Sequence, residues 1–118
     1  MATHVFLSPG MFGFAKLAGY DYFHHVREAL EPRFADAGLR AETSVVPTPP
    51  TSSLRHRARM LAKAVQMSAG KDDGPIHLVG HSTGGLDIRL LLSPTTNLKS
   101  DDPERLAWRP RVATVTTL

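Results

Sequence analysis

The chain predicts an α/β fold, a three-layer sandwich around a mostly parallel sheet of about four strands. Two observations carry that expectation. Short apolar or β-branched runs alternate with stretches whose apolar residues recur every three or four positions. The connections between successive runs are long enough to hold a crossover helix, which is how parallel neighbours are joined. With 118 residues and 42% apolar content, the chain is long enough for one modest core.

Taken in order, His4 to Ser8 reads as a buried strand, followed by the loop Pro9 to Phe14. From about Asp21 to Ala37, Phe23, Val26, Leu30, Phe34 and Ala37 fall at helical steps, and Gly38 closes that helix. Pro32 lies inside it and predicts a kink or break near Glu31, because proline cannot donate to the preceding turn. Arg40 to Val46 is the second strand, stopped by Pro47. The stiff Pro47 to Ser53 loop hands a Thr or Ser cap to a second helix. Leu54, Ala58, Leu61 and Val65 mark its buried face, while Arg55, Arg57, Arg59 and Lys63 read as a solvated one. A turn over Gly70 to Pro75 leads to the strand Ile76 to Val79, then a helix from Gly84 to about Leu92. Ser93 to Pro110 reads as a polar loop, and Val112 to Thr116 as a fourth strand.

Composition excludes several functions. The balance of 14 basic and 11 acidic side chains gives a formal charge of only +3, without the basic tract that nucleic-acid binding needs. There is no cysteine, hence no disulfide and no thiolate metal site. No apolar run approaches the length of a membrane span, so no transmembrane segment is expected. No secretory leader is read in the first twenty residues, so the default expectation is a cytoplasmic protein.

The chemistry concentrates at Gly80-His81-Ser82-Thr83-Gly84-Gly85, directly after the apolar Ile76 to Val79 run. This is a G-x-S-x-G pattern with a strand before it and a helix after it, the context a nucleophile elbow requires. Such a turn is sharp, and Gly80 and Gly84 leave room for it to pack against its neighbours. The helix that follows directs its free N–H groups and positive dipole end toward Ser82, where an oxyanion would form. Ligands of parallel sheets bind beyond the carboxyl ends of the strands. Both Ser82 and the Pro9 to Phe14 loop lie at such ends and are expected to meet. The glycines do not form a dinucleotide fingerprint, and no lysine follows as a phosphate loop requires. His77 and His81 are four apart but lie on a strand and a turn, so they read as structural residues and no metal site is expected. His24, His25 and His56 read as helix-surface residues. Asp87, five residues past Ser82, reads as structural or surface rather than as a catalytic acid. Asp101, Asp102 and Glu104 are expected to face solvent.

Together these residues resemble the α/β-hydrolase superfamily, in its bacterial lipase-like branch. His4 to Phe14 looks like the strand and loop that supply an oxyanion hole. Gly80 to Gly85 is similar to the elbow, Leu86 to Arg89 to the start of the next helix, and Arg111 to Leu118 to the strand after it. The resemblance implies that residues 1–118 form the amino-terminal portion of an α/β-hydrolase domain, truncated at a core strand. It implies Ser82 as the nucleophile, with the backbone N–H groups of Met11 and Thr83 as oxyanion donors and Gly80 and Gly84 as the elbow glycines. One departure is that relatives commonly carry a His-Gly pair before the first donor, where this chain has Pro9-Gly10. Phe12 and Phe14 fit either an acyl pocket or packing within the domain.

All six histidines precede Ser82, whereas the acid and histidine of the family's triad come later in the chain. The resemblance therefore implies a serine ester hydrolase of lipase or esterase type, with its acid and histidine outside these residues. It acts on lipid or short-chain carboxylic esters and needs no cofactor. Loss of a triad histidine costs on the order of 10⁶ in turnover, so the 118 residues alone are expected to be inactive. The alternative is a catalytically dead, hydrolase-derived binding domain. A fourth strand left at the sheet edge offers a surface for self-association.

Overall fold

A computed structural model describes residues 2–9, 16–17, 20–21, 24–46, 53–81, 83–93 and 107–117. Strand β1 spans Thr3–Ser8. A short antiparallel pair follows, β2 (Lys16–Leu17) with β3 (Tyr20–Asp21), and then helix α1 (His24–Asp36). Strand β4 (Ala41–Val45), helix α2 (Leu54–Ala69), strand β5 (Ile76–Gly80) and helix α3 (Thr83–Leu92) come next. A single 3₁₀ turn at Arg109–Arg111 leads into β6 (Val112–Thr117). The expected strands and helices are all present, with ends shifted by up to three residues.

The four long strands form one parallel sheet in the order β4-β1-β5-β6. Every residue of β1 is buried, because it runs between two neighbours and is covered on both faces. Its alternating side chains feed two cores. Val5 and Leu7 pack with Val26, Leu30 and Phe34 of α1, on one side of the sheet. Phe6, with Ile76 and Leu78 of β5, packs with Ala58, Leu61 and Val65 of α2 and Ile88 and Leu91 of α3. This is the expected three-layer arrangement.

Local chemistry sets the helix ends. Gly38 has φ of 75°, a left-handed conformation that glycine adopts at no steric cost. The N–H of Leu39 donates to Phe34 O at 2.9 Å and that of Gly38 to Ala35 O at 3.0 Å, which closes α1 in a Schellman arrangement. The Ser53 hydroxyl accepts from the His56 N–H at 3.2 Å and caps α2.

Three expectations are corrected in whole or in part. Of the kink or break expected near Glu31, the break does not occur, because helix α1 runs on through Pro32. Proline brings no N–H to the helix ladder, so the helix carries one bond fewer at this turn. The expected Ser93 to Pro110 loop contains a core residue, Trp108, buried against the α2–α3 side of the sheet. Finally, Arg57 is buried rather than solvated, for a reason that belongs to the site.

Candidate active site

The order β4-β1-β5-β6 places a topological switch between β1 and β5. From β1 the chain crosses to β4 on one side by way of α1. It then crosses back to β5 by way of α2, on the other face. Crevices of open parallel sheets form at such switch points, beyond the strand carboxyl ends. The two strand ends are in register there, Ser8 opposite Gly80. The His81 N–H donates to Ser8 O at 3.1 Å, and the Gly84 N–H donates to His81 O at 2.9 Å.

Strand β5 ends at Gly80 and α3 begins at Thr83, so only His81 and Ser82 lie between them. A turn that tight forces backbone into contact. A Cβ on Gly80 would stand 2.6 Å from Gly85 N and 2.7 Å from the Gly84 carbonyl carbon. A Cβ on Gly84 would collide with the Ser8 carbonyl oxygen and stand 2.8 Å from the Ser8 carbonyl carbon and 2.9 Å from Pro9 O. Both glycines are thus required by space. The conclusion holds for Gly80 and Gly84 as packing elements of the turn, whatever chemistry Ser82 performs.

Of the residues expected to act, Thr83 is half-buried at the start of α3, while Ser82 and Met11 lie outside the described residues. So do Gly10, Phe12, Phe14, Asp101, Asp102 and Glu104, and the side chains of His24 and His25. Two hydroxyls, Ser8 Oγ at the end of β1 and Thr83 Oγ1 at the start of α3, are buried with no hydrogen-bond partner among the described residues. Unpaired buried polar atoms are uncommon in folded proteins, and these two belong to the residue that ends β1 and the residue that begins α3.

The strongest electrostatic feature was not foreseen. Arg57 of α2, 2% exposed, donates through Nε to both Asp87 carboxylate oxygens at 3.1 and 3.0 Å, and its Nη2 lies 2.9 Å from Oδ2. The same Nη2 donates to the Pro9 carbonyl at 2.6 Å. Asp87, on α3, is fully buried. Burial raises its carboxyl above the ordinary value, and the Arg57 guanidinium opposes that shift. Asp87 is therefore structural, one of the two roles expected for it. Leu54, expected on the buried face of α2, is instead exposed, but the signal for Arg57 was available: it lies four residues before Leu61 and eight before Val65, on the buried stripe of the helix.

The histidines whose side chains are described lie in different surroundings. The ring of half-buried His77 shares a 2.7 Å hydrogen bond with the Thr114 hydroxyl across the β5–β6 pair. His81 is exposed and His56 half-buried. At the amino end of the sheet, buried His4 meets Asp72 at 3.0 and 3.1 Å, and Arg111 Nη2 donates to the same carboxylate at 3.2 Å. Among the described residues no group of three His, Asp or Glu side chains could hold a metal ion, and no helix is long and apolar enough to cross a membrane.

Comparison with known proteins adds a limited likeness. No family model matches the chain, and no solved structure does. Over 94 residues, 80% of its length, the chain is 34% identical to a triacylglycerol lipase of Vibrio cholerae serotype O1. Those residues span 28% of that relative. The likeness fits a lipase-like hydrolase.

Proposed function

We propose that this chain carries the nucleophile-bearing part of a serine ester hydrolase of lipase or esterase type. Ser82 attacks the ester carbonyl, and the backbone N–H groups of Met11 and Thr83 stabilise the tetrahedral oxyanion. The acid and the histidine base come from outside these 118 residues. The substrate is a lipid or short-chain carboxylic ester, in keeping with the lipase named above. The β6 edge is the place for self-association.

The observation that carries this reading is the two-residue passage from β5 to α3, packed by Gly80 and Gly84 against the end of β1. Strand, tight turn and helix form the support a nucleophile elbow needs. Gly84, two residues after Ser82, packs against the Ser8 and Pro9 backbone that enters the first loop. The Arg57–Asp87 pair supports the same reading, because it ties that loop's first carbonyl to the helix that follows Ser82.

The test uses the protein expressed from its own gene. It is treated with a fluorophosphonate probe and with p-nitrophenyl esters of short and long acyl chains, alongside Ser82→Ala. Covalent labelling and turnover that both vanish in Ser82→Ala support the hydrolase. Absence of both in the unaltered protein sinks it and favours the non-catalytic binding domain.

A further inference from the structure

A buried ion pair is a costly way to pack two helices. Removing both charges from water costs several kcal/mol per ion, and apolar residues of similar volume often stabilise as well or better. Packing α2 on α3 does not by itself call for Arg57 and Asp87. What an apolar pair could not do is donate a hydrogen bond to the Pro9 carbonyl, and Arg57 does so at 2.6 Å. The guanidinium is planar and held at a fixed angle by its contacts with the Asp87 carboxylate, which fixes the direction of the Nη2 that reaches the Pro9 carbonyl. Asp87 lies three residues after Gly84 on α3. The Pro9 oxygen is itself 2.9 Å from where a Cβ on Gly84 would stand.

We infer that Arg57 is a positioning residue. Locked by Asp87 of α3, it fixes the Pro9 carbonyl and so sets the backbone leaving β1 against the helix that follows Ser82. Its effect on structure stands by itself, while its effect on catalysis rests on the hydrolase reading above. If that reading holds, Arg57 acts through the donor supplied by the first loop and touches no substrate atom.

The test compares Arg57→Lys, Asp87→Asn and the double variant Arg57→Met with Asp87→Leu, in the protein expressed from its own gene. The double variant leaves no unpaired buried charge, so it is expected to fold with a Tm close to that of the unaltered protein. Amide hydrogen exchange over residues 10–14 is expected to quicken on the order of tenfold, with exchange in α2 and β5 unchanged. For catalysis, an ester is compared with its thionoester, whose sulfur accepts hydrogen bonds poorly and gains little from an oxyanion hole. A misplaced donor lowers the ester rate on the order of tenfold or more and the thionoester rate much less, through kcat rather than KM. Arg57→Lys keeps the charge but not the fork, and is expected to recover only part of the ratio.

A folded double variant with unchanged exchange over residues 10–14 and an unchanged ester-to-thionoester ratio overturns the inference. An unaltered protein without Ser82-dependent turnover defeats the hydrolase reading instead. The exchange measurement then still decides whether Arg57 fixes the backbone.

Discussion

Gly84 and Ser8 meet backbone to backbone: a Cβ on Gly84 would collide with the Ser8 carbonyl oxygen. The contact is backbone on backbone, so no side chain can swing aside to relieve it. Gly84→Ala must therefore push α3 away from β1 or distort the strand end. Overpacking of this kind costs about 1–3 kcal/mol, and more where the backbone resists. Gly38 is a useful contrast, since nothing lies within 4 Å of an added Cβ there and only its φ of 75° disfavours alanine. Gly38→Ala is expected to cost about 1 kcal/mol through conformation alone. Urea denaturation compares the two costs, and probe labelling of Ser82 should be lost in Gly84→Ala only. Equal stability of the two variants would show that the strand end yields easily.

Asp72 predicts how the fold responds to acid. Its carboxylate accepts from the Gly74 N–H at 2.8 Å and meets the His4 ring at 3.0 Å. The Gly74 N–H first, and His4 second, hold it down from an ordinary 3.8 to about 2, against the opposing effect of desolvation. A carboxylate with a lowered folded value favours the folded state above the unfolded value and loses that contribution as protons bind. The loss therefore falls between about pH 4 and pH 2. Asp72→Asn is expected to be less stable than the parent above pH 4, with the difference narrowing as the pH drops through that window. Urea midpoints measured from pH 6 to pH 2 test this, and a constant gap across the range would contradict it.

The α2–α3 side of the sheet holds the larger core, and Leu61 sits fully buried within it beside Phe6 and Leu78 of the strands. Leu61→Ala is expected to cost about 2–5 kcal/mol, the transfer term plus the cavity it leaves. Met67, on the same helix but 65% exposed, should tolerate alanine within about 0.5 kcal/mol. Thermal unfolding of the two variants checks both values, and a small cost at Leu61 would mean that the core collapses around the gap.

The fold was legible because its signals were long. Buried parallel strands give apolar runs, and Val26, Leu30 and Phe34 on α1 and Ala58, Leu61 and Val65 on α2 repeat at helical spacing, so one helix face of each core could be drawn from the sequence. The antiparallel pair β2–β3 escaped because two residues per strand carry no period to detect. Trp108 escaped because its polar and proline-rich neighbours outweighed one aromatic residue. Arg57 was misjudged by residue type, since arginine is almost never fully buried unless paired. Its partner lies thirty residues away on another helix, and the link appears only if two opposite charges are each noticed on an apolar stripe. In the candidate site, the close packing at Gly80 and Gly84 was legible from the glycine pattern, while Ser82 and the Gly10 to Phe14 stretch lie outside the described residues. The clamp on Pro9 depends on a tertiary contact that no local pattern encodes.

Strand β6 is hydrogen-bonded to β5 on one side, and among the described residues no strand lies on its other side. Five of its six residues are exposed, including Val115 at 43%. An open edge of β-branched residues offers unpaired N–H and C=O groups to another copy, and charged side chains on an edge are the usual protection against that. Arg111 precedes the strand and is held inward by the Ala69 and Gly74 carbonyls at 2.7 and 2.8 Å, so it does not guard the edge. The 118 residues expressed alone are therefore expected to associate as concentration rises, giving a weight-average mass above 12.9 kDa in light scattering. Val115→Lys places a charge on the exposed face and is expected to shift the association to higher concentration without lowering Tm. A monomer at every concentration would remove β6 as an association surface.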